Sequence, residues 1–504
     1  MHISNDNFEQ KLAKLQEAVY KRKPVFKDLL LSFGDKTVDL YLRDIIDDKK
    51  SYINTERQNE FLLTFKKFVV GQYGEERAIS ACEQLQKNFI VSTSDHTGPL
   101  SPPDFINSHL ALANVYADFK YNFKELIVLA CSNITLHNPT FPRGGALTLN
   151  DGSLVETSRI PFVSKSMVGH TLYGFRTGAI IILDKINDFI KQTKIKDEQI
   201  SRKIKTLLTE ISDGFTGEDF YYNFVKLINN RLWKKMYQNN VDNCPDLMYL
   251  EQESLVSSLL IENHLFKKTI IHELIFNPSS EILIKDLFDG IEGAFDSKNN
   301  LGTYLFWAIP PGSKYKIGLN RINDKLVSKD GLFSIGLNEE DVAKALEQKI
   351  LIPSALVDFA LLNFYYGLKC FGGTSQINYT TEMKKGIMQF ADSKGDSETK
   401  KISESVPTNL LNCDLYLSIM DCGDEILPAT GFDLAVYLDN LAFEKIGLLT
   451  KEINLTTAIS PALPEYYDAL YSKDELDEEL TCIDNKIILK NLYLNKKIKS
   501  IISI

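Results

Sequence analysis

Three stretches of this 504-residue chain combine residue types that can do chemistry. The first reads Ser92-Thr93-Ser94-Asp95-His96-Thr97-Gly98-Pro99-Leu100. A carboxylate beside an imidazole supplies general acid and base, or two metal ligands, and Gly98 permits close backbone approach to a ligand. Asp95 and His96 are therefore catalytic candidates, with Ser94, Thr97 and Gly98 assigned to substrate. The same residues would also make a capped polar turn. The second stretch is Cys131-Ser132-Asn133-Ile134-Thr135-Leu136-His137-Asn138-Pro139, running on to Pro142-Arg143-Gly144-Gly145. His137 is a further proton-handling or orienting candidate, Asn138 a substrate contact, and Arg143 the natural fork for a carboxylate or phosphate. An irregular loop with a salt-bridged arginine is the alternative. The third is Gly372-Gly373-Thr374-Ser375-Gln376-Ile377-Asn378-Tyr379. Two glycines and a hydroxyl-rich turn ahead of a helix can cradle an anion or nucleotide with backbone N–H groups. Gly372, Gly373, Thr374, Ser375, Gln376 and Tyr379 are thus candidate cofactor contacts. The stretch lacks the Lys of a P-loop and the full Gly-x-Gly-x-x-Gly spacing, and a tight turn with an N-cap would read the same way.

His96, His109 and His137 with Asp95 invite a zinc reading, but their spacing is that of no compact motif and His109 belongs to the next helix. Local hydrogen bonding is the simpler role, and no metal site is expected. His170 and His272 are read as structural.

The elements that must position these residues follow from apolar patterning. Residues 89–93 read as a short strand, 105–119 as a helix and 126–131 as a continuously apolar strand, which suits burial on both faces of a parallel sheet. Strand, helix and strand over about 45 residues make a βαβ unit with a right-handed crossover. Its strands run parallel, so the loops 94–103 and 132–145 leave at the same carboxyl edge, where open α/β sheets bind ligands. A hairpin over Asn150-Asp151-Gly152 follows. Residues 302–308, 315–319 and 368–371 read as strands, 325–337 as a hairpin, and Asn338 and Ser354 as helix caps. Before this core, Pro24 breaks a helical stretch and Thr55 with Gln58 forms a capping box. The expected fold is α/β: a Rossmann-like parallel sheet core with large helical insertions and a helical N-terminal region. Its divisions are 1–87 helical, 88–175 the first half of the core, 176–300 a mainly helical insertion, 301–384 the second half, and 385–504 a mixed helical region.

Composition narrows the partners. Hydrophobic residues make up 44% and charged residues 25%, as in ordinary folded proteins, and the net charge is −10. That charge lacks the basic excess that binds phosphate backbones, so neither nucleic acid nor membrane is an expected partner. Seven cysteines, an odd number with no Cys-x-x-Cys pair, suit free thiols in a reducing cytoplasm. No signal peptide is evident, and apolar runs fall short of the ~18 residues of a membrane span. A soluble cytoplasmic protein is expected. Residues 94–145 hold three of the seven histidines and Arg143, which points to a small anionic ligand.

Taken in order, the three stretches resemble the cysteine-adding ligase family of bacillithiol biosynthesis. That family follows its first strand with Gly-Gln-Gln-x-Gly-x-x-x-Gly-Pro, onto which residues 90–103 can be laid with Gly98 and Pro103 kept and the glutamines replaced by Asp95 and His96. Its Glu-Asp-His-Asp motif after the second strand is here Ser132-Asn133-Ile134-Thr135. Its Gly-Gly-Pro-Gly-Glu-Ile-Ala-Tyr resembles Gly372-Gly373-Thr374-Ser375-Gln376-Ile377-Asn378-Tyr379, preceded by a similar hairpin and a Pro353-Ser354 helix. The resemblance spans about residues 89–384. It implies a Rossmann-like core, a site between the three loops, and amide formation between a cysteine and a sugar conjugate. The tail lacks the family's coiled-coil heptads.

The resulting expectation is a small-molecule ligase or transferase that joins an amine or thiol to an activated partner. A nucleotide is its possible cofactor, and an oligomer is compatible. A metal-assisted hydrolase using Asp95, His96 and His137 is a second reading. A non-catalytic binding protein on a degenerate enzyme fold is a third.

Overall fold

Residues 126–130 are buried without exception, and the reason is a sheet covered on both faces. It comprises β1 (Ile90–Ser92), β2 (Glu125–Ala130), β3 (Asp246–Glu251) and β4 (Lys369–Phe371). The strand order is β4-β1-β2-β3 and every pairing is parallel. This computed structural model describes residues 5–47, 51–118, 120–150, 155–192, 195, 197–215, 218–237 and 244–504.

Side chains along a strand alternate between faces, and two separate cores record that alternation. Leu126, Val128 and Ala130 join Ile90, Tyr249 and Phe371 on one side. Ile127 and Leu129 join Val91, Met248, Leu250 and Cys370 on the other. The first core is completed by N-terminal residues such as Phe8 and Tyr41, by the helix α1 (Pro103–Tyr116) and by C-terminal residues such as Phe432 and Leu489. The second takes Phe61 and Phe65, the helix α2 (Gln252–Asn263), and Met383 and Phe390 of the helix α3 (Thr374–Lys394). Helical material from both chain ends thus closes the two faces of one sheet.

The expected strand, helix, strand unit is β1-α1-β2, and β4 runs directly into α3 through Gly372 and Gly373. Next to the parallel sheet lies an antiparallel sheet in the order Ser334–Gly336, Lys325–Ser328, Ile317–Ile322, Phe306–Ala308, Leu351–Pro353. It contains the expected 325–337 hairpin. The strands Gly144–Asn150 and Val155–Pro161 pair as the other expected hairpin, whose turn at 151 and 152 falls outside the described residues.

Two expectations change. Asn54, not Thr55, caps the helix Thr55–Tyr73: it stays extended and accepts a hydrogen bond from the Arg57 amide at 3.0 Å, while Gln58 turns inward and donates to the Leu85 carbonyl. Residues 176–300, expected to be mainly helical, also supply β3, which pairs with all six residues of β2. Among the described residues no helix is long and apolar enough to cross a membrane.

Candidate functional site

Beyond Ser92 the chain stays alongside the end of β2. The Cys131 amide donates to the Asp95 carbonyl and the Thr97 amide to the Cys131 carbonyl, both at 2.8 Å. This ladder fixes Asp95, which is only 1% exposed. Its Oδ1 lies 2.8 Å from Nε2 of His109, a fully buried residue of α1. Asp95 Oδ2 and His109 Nδ1 are both buried without a hydrogen-bond partner. An unsatisfied carboxylate oxygen costs free energy in a folded interior, so its presence calls for a functional explanation. Next to it, burial lowers the His96 pKa below the ordinary imidazole value, which makes this ring a neutral base at pH 7.

Both residues line a cavity of about 600 Å³ at the carboxyl edge of the parallel sheet. Gly373, Thr374, Ser375, Gln376 and Tyr379 form another wall. Gln376 Nε2 donates to Thr93 Oγ1 at 2.7 Å, so the loop after β4 is tied to the loop after β1. The first turn of α3 is already occupied by an anion, because Thr374 donates its amide and its hydroxyl to Asp414 Oδ2 at 3.2 and 3.0 Å. Asp414 has φ +65°, in the left-handed region that side chains rarely adopt, so the fold holds it there against backbone preference. The N-terminal region reaches the same rim. Buried Lys23 donates to Glu292 at 2.8 Å and to Ser375 at 3.4 Å.

The third wall comes from β3 and the antiparallel sheet. Glu253, in the first turn of α2, is fully buried and accepts the Ser132 amide at 2.9 Å, the Asn133 amide at 2.8 Å and the Cys131 thiol at 3.1 Å. Burial raises the pKa of Glu253, and of Cys131 beside it, so the cysteine remains a thiol. Asp358 accepts from Gln252 at 2.9 Å but leaves its Oδ1 unpartnered, and burial with neighbouring Glu253 pushes it well above the carboxylate range. Lys316 donates to Asn133 Oδ1 at 2.7 Å and sits over the Trp307 ring, with its pKa lowered by burial.

Charge is the cavity's distinguishing property. Asp104, Asp414 and Glu465 line it together with Asp95, and Glu253, Asp358 and Glu292 line it elsewhere, against Lys316 as the one lining lysine or arginine among the described residues. Asp104 is pushed well above the carboxylate range by burial and then by Asp414, Glu465 and Asp95. Among the described residues, neither Asp104, Asp414 nor Glu465 forms an ion pair. Such crowding of buried carboxyl groups holds some of them as neutral acids and marks a candidate functional site.

Of the residues singled out by sequence, Ser94, Asp95, His96, Gly373, Thr374, Ser375, Gln376 and Tyr379 meet in this cavity. Others do not. His137 is exposed and outside it, so Asp95, His96 and His137 do not assemble as a metal-binding triad. Arg143 stacks on Phe141 at 4.7 Å. Thr97 is fully buried against Ser132, at 2.9 Å. Gly98 is small for a packing reason, since a Cβ there would lie 3.0 Å from Pro142 Cα, rather than to admit a ligand. Asn138 sits beside His96 and accepts from Thr140. Gly372 makes room for the Gln376 side chain, whose Cδ would lie 2.3 Å from a Cβ.

Sequence reasoning missed Asp104, Glu253, Lys316, Asp358 and Asp414, whereas His109, weighed as a metal ligand and read as a hydrogen-bonding group, pairs with Asp95. Glu253 had a signal: residues 247–250 are apolar and run into an acidic helix start, the same strand-to-polar transition that marked the other loops. Asp414 had none, because only long-range folding brings it to α3. Comparison with the models of known protein families finds no match, and none of the curated proteins matches the chain.

Proposed function

We propose that this chain is a small-molecule ligase or transferase that acts on an amine-bearing nucleophile in the carboxyl-edge cavity. The observation that carries the reading is Asp95: buried, backed by His109, with one carboxylate oxygen unpartnered, in a residue that lines an acidic cavity. An amine reaches the site as an ammonium ion, which the surrounding carboxylates attract. It must lose a proton before it can attack, and Asp95 Oδ2 or neutral His96 accepts it. Lys316, held by Asn133, supplies positive charge for an oxyanion or phosphoryl oxygen on the activated partner. The acidic walls favour this cationic nucleophile over the small anionic ligand that the histidines and Arg143 suggested from sequence.

The order β4-β1-β2-β3, with helices on both faces, supports a Rossmann-like core. A nucleotide fits the same reading only where its phosphates meet Lys316 or a bound cation, because Asp414 fills the first turn of α3. Convergence of polar groups from the loops after β1, β2, β3 and β4 favours catalysis over passive binding.

The test is a mass-spectrometric screen of amines paired with carboxylic acids and nucleoside triphosphates, run on the wild type and on Asp95→Asn. A coupled product formed by the wild type, and slowed about 10²- to 10⁴-fold in Asp95→Asn with unchanged folding by circular dichroism, is the expected result. Equal turnover by the two proteins would remove Asp95 from the chemistry.

A further inference from the structure

We propose that Asp104, Cys413 and Asp414 bind one divalent zinc-class ion, with the fourth position open to the cavity. The carboxylate oxygens and the Cys413 sulfur lie within 4.8 Å of one another. A tetrahedral ion at Zn–O of about 2.0 Å and Zn–S of about 2.3 Å needs donors somewhat closer than this, which side-chain rotation can supply. Two carboxylates alone would suit magnesium or calcium equally well. The sulfur selects a softer ion, and three protein ligands leave the vacancy of a catalytic rather than a structural site.

A second observation points to the same ion. Asp95 is 1% exposed, lines this cavity, and has an oxygen with no partner. It is close enough to bear electrostatically on both Asp104 and Cys413. A buried carboxylate oxygen with no partner, in a cavity lined by further carboxyl groups, is stabilised by a cation held nearby. The supporting shell is in place as well. Thr374 holds Asp414 Oδ2 by two hydrogen bonds, which orients the carboxylate. Tyr466 lies 2.7 Å from the Thr374 hydroxyl and completes the chain of contacts.

Coordination of the Cys413 thiol replaces its S–H bond with a metal–sulfur bond and releases one proton to solvent, with no change of oxidation state. The site does not depend on the amine reading, although an ion there would also acidify the ammonium bound beside it.

The probe is cobalt(II), added to chelator-treated protein and followed by absorption spectroscopy and equilibrium dialysis. The expected outcome is one cobalt per chain with a near-ultraviolet sulfur-to-metal charge-transfer band, which zinc displaces. Cys413→Ser should lose the band, and Asp104→Asn and Asp414→Asn should each weaken uptake at least 10-fold. His137→Ala, altered at an exposed imidazole outside the cavity, should leave uptake unchanged. Failure to bind stoichiometrically, a band that persists in Cys413→Ser, or loss of uptake in His137→Ala would each overturn the proposal. Turnover that depends on Asp95 without any metal uptake would sink the metal site and leave the amine reading standing.

Discussion

Replacing Glu253 by Gln probes whether the wall between β2 and α2 is held by charge. The carboxylate receives the Ser132 amide at 2.9 Å, the Asn133 amide at 2.8 Å and the Cys131 thiol at 3.1 Å, and all of these are donors. A carboxylate accepts at both oxygens, whereas a glutamine offers one oxygen and turns an NH₂ toward donors. At least one charge-assisted bond, worth about 1.5–3 kcal/mol, is then lost and an amide is left facing another N–H. The expected local cost is about 3 kcal/mol. Hydrogen exchange read by mass spectrometry on a peptide spanning residues 131–138 measures that cost directly. Protection at Ser132 and Asn133 should fall roughly 150-fold, since about 1.36 kcal/mol corresponds to a factor of ten. The wall carries Lys316 through Asn133, so exchange near Lys316 should rise too. A change below about threefold would refute the reasoning. It would mean that burial, which raises the Glu253 pKa, holds the group as a neutral acid for which glutamine is a fair substitute.

Further outcomes follow from individual contacts. Burial lowers the His264 pKa to about 3, and its ring nitrogens lie 3.0 Å from Thr269 and Tyr366 hydroxyls. The folded protein thus resists protonating a group that the unfolded chain protonates near pH 6.5, so this contribution is present above 6.5 and is lost as pH falls toward 3; at pH 4.5 the loss is about 2.7 kcal/mol, and denaturant titrations of His264→Gln should show a correspondingly shallower acid slope. Gly431→Ala should destabilise by about 2 kcal/mol or more in chemical denaturation, because a Cβ there would lie 1.8 Å from the Leu100 carbonyl oxygen. Arg143→Ala and His137→Ala should leave amine-induced thermal shifts unaltered, whereas Lys316→Ala should weaken binding of a nucleoside triphosphate in the same assay.

The parts of the fold legible in sequence were those with strong local signals. The apolar run at 126–130 announced a doubly covered strand, and the Gly372-Gly373 pair after 369–371 announced a strand feeding a helix. From two parallel strands alone, the position of the cavity followed, because their loops must leave at one edge. The chemistry within it was less legible. Asp95 was found through its imidazole neighbour in sequence, yet its partner is His109, fourteen residues on and across the first turns of a helix. Arg143 and His137 lie on the correct loop but outside the cavity, Arg143 stacked on Phe141 and His137 exposed, since a loop's exit edge does not dictate where each of its side chains goes. Asp414, supplied by a segment with no periodic pattern, could be placed only once the C-terminal region had packed against α3. Its carboxyl group, with those of Asp104 and Glu465, lines with acidic side chains what was expected to be an anion pocket.

The central claim is that an amine binds against the free oxygen of Asp95 in this cavity. A crystal structure of the chain soaked with the strongest amine from a thermal-shift screen tests it most directly. The account predicts the nitrogen about 3 Å from Asp95 Oδ2, between the loop after β1 and the start of α3. An amine that binds elsewhere on the chain, or enters the cavity with its nitrogen turned away from Asp95, would contradict it.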